Sequence, residues 1–178
     1  MGRFFQQKSV KIFLTIFLFI LSIYAATFIH EVGHVVAFYS LGCDVPSIIV
    51  RIDITGGTGC LAPENWYGGI TALEDLIATG SSLIFVSLLG LIFLIGFKSL
   101  KFVKKNYTLS IIFFSLAFNF LLNGFLQSLS GSDLYRLLGL GISRIYINLF
   151  AGLVGVLLVY TTLQFGHLLK RVEPKIKD

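Results

Sequence analysis

The residues with the clearest chemical potential lie in the segment His30-Glu31-Val32-Gly33-His34. If this segment is helical, His30 and His34 stand one turn apart on the same face, because residues four apart lie one above the other. Two imidazoles in this arrangement can share one zinc ion, and the glutamate between them can act as a general base. The spacing therefore predicts two zinc ligands and a catalytic base, Glu31. The simpler alternative is a pair of interfacial histidines beside a glutamate that reaches the membrane surface.

A catalytic zinc site needs a third protein ligand and one position open to water. The remaining histidine, His167, lies beside the basic residues at the far end of the chain, so we expect it to be an interface residue. A carboxylate is then the expected ligand, and Asp133 is the candidate on the same membrane face as the two histidines of the motif. Glu74 and Asp75 begin the second predicted span at that face and compete with it. Another alternative makes Asp133 a plain N-cap of the helix that follows it.

Asp133 can lie at the same membrane depth as His30 only if its helix is broken. Straight-helix geometry places His30 about 28 Å beyond Lys11, and it places Asp133 about 14 Å further out than His30. Two stretches carry residues suited to unwinding a helix end, Asn123-Gly124 and Ser128–Ser132. Irregular backbone at membrane depth is tolerated only where protein or a wet cavity satisfies its polar groups. An active site is such a place.

The elements that must position these residues are membrane spans. Of the 178 residues, 56% are apolar and 13% are charged, whereas soluble domains have about 45–50% and 25%. Four uncharged runs are each long enough to cross about 30 Å of hydrocarbon: Ile12–His30, Leu76–Phe97, Tyr107–Gly131 and Ile145–Leu169. We therefore expect an all-α polytopic membrane protein with about four transmembrane helices, in a single domain over residues 1–178. A cleaved signal peptide over residues 1–27 is the competing interpretation of the first run.

The charges indicate how the chain is oriented. The net charge is +5, and eleven of the fourteen basic residues lie in three groups, within residues 3–11, 98–105 and 170–177. The linker between the first two spans is acidic instead. By the positive-inside rule, both termini and the 98–106 loop are cytoplasmic. The basic residues are thus a topology signal, and we expect no nucleic-acid partner. Cys43 and Cys60 both fall in the outer linker, where either a disulfide or two unpaired thiols can occur.

These motifs together resemble the site-2 protease family of intramembrane zinc metalloproteases. The HExxH motif lies on a membrane helix, and the segment Gly131-Ser132-Asp133-Leu134-Tyr135-Arg136-Leu137-Leu138 follows two spans later. The family core has one span with HExxH, one intervening span, and one with an aspartate that completes the metal site. Residues 10–140 match this order, and residues 141–178 would be an additional span and a basic tail. The resemblance implies zinc as cofactor, with His30, His34 and Asp133 as ligands and Glu31 as general base.

Two further segments resemble the family, whereas the segment around Asp133 departs from it. Val45–Ile54, followed by Gly56-Gly57, resembles a short membrane-associated β-hairpin that lies near the family's active site. Ala78-Thr79-Gly80 resembles the small-residue second span. At the aspartate, however, Leu134 stands where the family has glycine, and the family's Asn-x-x-Pro lead-in is missing because no proline follows Asn123.

The function indicated is zinc-dependent endopeptidase activity in the lipid bilayer, on a peptide bond in or near a transmembrane segment of a membrane-protein substrate. The β-branched stretch Ile48–Thr55 offers an edge strand on which an extended substrate can dock; alternatively, it only packs at the interface. A different class of function is a catalytically silent membrane scaffold or binding protein that retains this fold. The departures around Asp133 favour that alternative. The sequence does not indicate an oligomeric state.

Overall fold

The computed structural model describes residues 2–43, 48–51, 57–60 and 71–172. The described elements are six helices and two short strands: α1 (Gly2–Ser40), β1 (Ile48–Arg51), β2 (Gly57–Cys60), α2 (Ala72–Ser99), α3 (Lys101–Lys105), α4 (Tyr107–Ser130), α5 (Ser132–Gly139) and α6 (Arg144–Val172). Helices α1, α2, α4 and α6 are long and apolar enough to cross a membrane. The protein is therefore a multi-pass membrane protein, as its composition predicts. The orientation of its ends, and its division at residue 140, stay predictions.

Helix α4 is the centre of the bundle and packs against α1, α2 and α6. Its Phe120 joins Ala26 of α1 and Val86 of α2 in a buried cluster, and the rings of Phe93 and Phe120 stack with centroids 5.8 Å apart. Lipid tails are as apolar as these side chains, so close packing stabilises the bundle here more than the hydrophobic effect does. The outward faces of the helices carry large apolar side chains such as Phe13 and Leu153, which suits contact with lipid.

Two polar contacts fix the register between α1 and α4. Thr15 Oγ1 lies 2.9 Å from the hydroxyl of Tyr107, and Asn119 Nδ2 donates to Ser22 Oγ at 2.6 Å. The contacting residues occur in the same order along both helices, so α1 and α4 run parallel. Hydrogen bonds between membrane helices contribute about 0.6 kcal/mol each on average. Their larger effect here is positional, because they bring the C-terminal end of α4 towards His30.

The expected break in the third span occurs at one of the two proposed stretches. Helix α4 runs through Asn123-Gly124 without interruption and ends at Ser130. Gly131 is extended (φ −79°, ψ 173°), and α5 begins at Ser132. A Cβ at Gly131 would lie 2.6 Å from the backbone Cα of Gln127, so the close approach of these two residues requires glycine. The break and the register of α4 together remove the offset of about 14 Å that straight-helix geometry gives for Asp133.

The segment after α1 contains a small sheet. Strands β1 and β2 pair antiparallel, with Val50 opposite Thr58 and Ile48 opposite Cys60, and both strands contact α1. The predicted hairpin falls partly on residues 44–47 and 52–56, which lie outside the described residues, so the hairpin and its membrane association stay predictions.

Cys43 is buried against Phe38 and is disulfide-bonded. An unpaired thiol at Cys43 is therefore wrong, and the side chain of Cys60 lies outside the described part of the chain.

Candidate metal centre

Three predicted ligands meet near the C-terminal end of α1. His30 and His34 lie one turn apart on this helix, with their Nε2 atoms 3.2 Å from each other. Asp133, in the first turn of α5, places Oδ2 at 3.0 Å from His30 Nε2 and Oδ1 at 3.4 Å from His34 Nε2. All three side chains are buried, and among the described residues they are the one group that could hold a metal ion.

The separations of these atoms suit a tetrahedral ion. Zinc binds imidazole nitrogen and carboxylate oxygen at about 2.0–2.2 Å, so two ligands of a tetrahedral site lie about 3.3 Å from each other. The two nitrogens are 3.2 Å from each other, and each lies 3.0 or 3.4 Å from one of the two oxygens of Asp133, so every pair is close to that value. The donor set, two nitrogens and one carboxylate, is that of several catalytic zinc sites. The three residues are therefore close enough together to hold a zinc ion.

The neighbours of the two rings define their tautomers. His34 Nδ1 lies 3.2 Å from the carbonyl oxygen of Ala78, which can only accept, so Nδ1 carries the proton. Ser82 Oγ donates its single proton to the carbonyl oxygen of His30 at 2.5 Å. The serine oxygen therefore accepts from His30 Nδ1, which is 3.3 Å away. In the neutral rings both Nε2 atoms are then unprotonated, and their lone pairs face the aspartate, as metal-ligating histidines require.

The electrostatics of this cluster call for a positive charge. Two unprotonated nitrogens and a carboxylate converge, and Asp133 Oδ2 is buried with no hydrogen-bond donor in the described part of the chain. Burial raises the pKa of Asp133, but where His30 and His34 carry protons at Nε2, hydrogen bonding and attraction to them lower it further, so the net pKa lies below its usual range. A bound cation would supply the same positive charge to the carboxylate and the unprotonated rings.

The predicted general base is buried beside this cluster. Glu31 follows the first histidine on α1, and its side chain is 2% exposed. Its carboxylate Oε2 accepts a hydrogen bond of 2.6 Å from Thr58 Oγ1 of β2. A buried carboxylate next to a metal site is well placed to take a proton from water. The contact with Thr58 was not predicted, because no local pattern in the sequence links β2 to α1.

The two carboxylates that compete for the third position have other partners. Glu74 forms a capping box with Thr71 at the start of α2, accepting from the backbone N–H of Thr71 at 2.7 Å. Asp75 Oδ1 pairs with Arg136 Nη2 at 2.5 Å. Asp133 as a helix N-cap is wrong, because the N-cap of α5 is Gly131. The side chain of His167 lies outside the described residues, so its interface role stays a prediction.

Sequence reasoning missed three residues that hold the cluster in place: Ser82, Thr58 and Arg136. Ser82 lies two residues beyond the small-residue segment Ala78-Thr79-Gly80, whose Ala78 packs against Phe38 of α1. Arg136 was visible as a lone basic residue one turn beyond Asp133. Which residues Arg136 contacts depends on the tertiary fold, which the sequence does not reveal.

We predict that Gly33→Ala weakens zinc binding by about 10- to 100-fold, the effect typical of changes to outer-shell partners. An added Cβ would lie 2.9 Å from Ser82 Oγ and 3.4 Å from Ser82 Cα. It would therefore push α2 away from α1 and break the contact with His30. Gly80→Ala is the matched control, because its Cβ would meet nothing within 4 Å. Competition with a chromogenic chelator measures both affinities; equal values for the two variants would contradict the prediction.

Comparison with known proteins identified no relative of this chain: no protein-family model, no curated protein and no solved structure matches it.

Proposed function

We propose that this protein is a zinc-dependent intramembrane endopeptidase similar to the site-2 proteases. The observation that carries the proposal is the convergence of His30, His34 and Asp133 at atom separations that suit zinc, with Glu31 on the same helix. Buried ionisable residues in a membrane helix cost several kcal/mol unless they are paired or functional. Four of them in one place support a catalytic site more than a structural one.

The residues have separate roles in the proposed hydrolysis. Zinc held by the two histidines and Asp133 would polarise the peptide carbonyl and acidify a water molecule. Glu31 takes a proton from the attacking water while the oxygen of that water bonds to the carbonyl carbon of the substrate. It then delivers the proton to the amide nitrogen as the C–N bond breaks. The products are a new carboxylate and a new amine, with no oxidant or co-reactant consumed.

The surroundings of the site support a membrane-protein substrate. The cluster lies at the end of a membrane-spanning helix in a bundle whose outer surface is apolar. Strand β1 pairs with β2 along one edge, and in the described part of the chain its other edge is unpaired. An unpaired edge can bind an extended peptide by main-chain hydrogen bonds. A substrate helix must unwind to expose its carbonyls, and the strand would hold it in that extended form.

A catalytically silent scaffold is the second candidate. The observation that favours it is Leu134, which stands where the family has glycine and is buried against Leu83 and Leu137. In that case the metal would hold α1 and α5 together without any cleavage. Metal content alone does not separate the two candidates, whereas cleavage does.

The test combines metal content with proteolysis. We expect protein purified in detergent to contain about one zinc per chain and to cleave at least one of a panel of co-expressed single-span membrane proteins. A chelator should abolish cleavage, and added zinc should restore it. Protein without zinc would contradict the metal centre. Protein with zinc that cleaves no member of the panel would favour the scaffold.

A further inference from the structure

Strand β2 supplies a hydrogen-bond donor to the proposed general base. Thr58 is 7% exposed, and its hydroxyl donates to Glu31 Oε2 at 2.6 Å. A hydrogen bond from a neutral donor to a buried carboxylate is stronger than one between neutral groups. It also restricts rotation of the carboxylate, which is held at one oxygen. The orientation of Glu31 thus depends on a strand about 27 residues further along the chain.

The same threonine is held from its other side by the helix that carries Asp133. Arg136 Nη1 donates to the backbone carbonyl oxygen of Thr58 at 3.2 Å. Arg136 follows Asp133 by three residues, so the two side chains lie near each other on α5. One short helix therefore presents the third metal ligand to α1 and a guanidinium group to β2.

Two further contacts fix the position of Arg136. Its Nη2 pairs with Asp75 Oδ1 of α2 at 2.5 Å, and its guanidinium carbon lies 5.2 Å from the centre of the Phe38 ring of α1. The planar guanidinium fork can engage several partners at once, which an ammonium group cannot do with the same geometry. Arg136 thus connects α5 to α1, α2 and β2.

We propose that Thr58 and Arg136 are positioning residues of the proposed hydrolysis, on whose existence this inference rests. Thr58 orients the carboxylate of Glu31, and Arg136 holds the backbone of Thr58 so that its hydroxyl reaches that carboxylate. Neither residue touches the reacting atoms. Through this relay, the helix that provides the third metal ligand also determines the orientation of the base.

The first test replaces the hydroxyl of Thr58. Thr58→Val keeps the shape of the side chain and removes its donor, so kcat for peptide cleavage should fall about 10- to 100-fold, the range typical of losing a hydrogen bond to a charged group. Zinc content and KM should not change. Thr58→Ser retains the donor and should restore kcat to within about threefold of wild type. Thr161→Val is the matched control: that buried hydroxyl donates within its own helix, to Leu157.

The second test asks whether Arg136 acts through Thr58. Arg136→Met removes the guanidinium group and keeps an unbranched apolar side chain. If Arg136 acts on the reaction only through Thr58, the double variant Thr58→Val/Arg136→Met is no slower than Thr58→Val alone, because the second change removes no further contact to Glu31. Multiplied effects in the double variant would overturn the role assigned to Arg136.

The outcomes separate this inference from the proposed function. An active wild type with a fully active Thr58→Val, or with no rescue by Thr58→Ser, overturns the positioning role alone. Loss of zinc from Thr58→Val also overturns it, since the effect would then be structural. A wild type that contains zinc but cleaves no peptide overturns the proposed function, and the inference falls with it.

Discussion

Glu31→Gln is expected to reduce the rate of peptide cleavage by about 100- to 10,000-fold, the contribution typical of a general base. The carboxamide has nearly the same shape as the carboxylate, and its oxygen can still accept the hydrogen bond from Thr58. It cannot take a proton from water at neutral pH. Since Glu31 is not among the three residues whose ligand atoms converge, zinc content should remain at the wild-type value. Initial cleavage rates and metal content are measured on the same preparation.

Glu74→Gln is the matched control for this variant. It makes the same chemical change in a glutamate that caps α2 and does not belong to the metal cluster. We expect it to cleave at the wild-type rate. Wild-type activity in Glu31→Gln would exclude Glu31 as the base and would favour a mechanism without this residue.

Asp133→Ala is expected to weaken zinc binding by at least about a hundredfold, since changes to outer-shell partners alone cost 10- to 100-fold. Two histidines would leave the ion with half of a tetrahedral ligand set. The variant should also lose cleavage activity and unfold at a lower temperature, because metal binding stabilises only the folded state. Titration of the stripped protein with zinc, in competition with a chelator, measures the loss.

A second carboxylate variant makes this test specific. Glu74→Ala removes a carboxylate near the same end of the bundle, from a residue whose partner is Thr71. Its zinc affinity should equal that of wild type. If Glu74→Ala loses zinc and Asp133→Ala does not, the ligand set derived from the geometry is incorrect and the first turn of α2 contributes instead.

The sequence predicted the parts of the site that depend on local geometry and on counting spans. A spacing of four residues on a helix suffices to place His30 and His34 together. The number of membrane crossings suffices to place Asp133 on their side. The helix break was located only approximately, because two stretches had suitable composition. Gly124 lies within α4, where its missing side chain lets Ser87 of α2 approach, and no local pattern in the sequence shows this contact between helices.

The residues around the ligands could not be predicted in the same way. Ser82 and the carbonyl of Ala78 reach the two rings because of the register between α1 and α2. That register depends on side-chain packing along the whole length of the two helices. Thr58 and Arg136 meet because α5 turns back towards β2. Such contacts join segments far apart in the chain, and a single sequence contains no periodicity that encodes them. The capping box at Thr71 and Glu74, in contrast, was readable as Thr-x-x-Glu.

The long separation between His30 and Asp133 has a consequence for biogenesis. Roughly a hundred residues and two complete spans are synthesised between the two histidines and the aspartate that faces them. Until α5 emerges, His30 and His34 lack the carboxylate that faces them, and an acidic residue at the centre of a span costs about 2.5–3.5 kcal/mol during insertion. The polar end of α1 is therefore favoured near the membrane surface at first. The cluster of His30, His34 and Asp133 is complete only when α4 and α5 assemble against α1, which is late, after the third span has been synthesised.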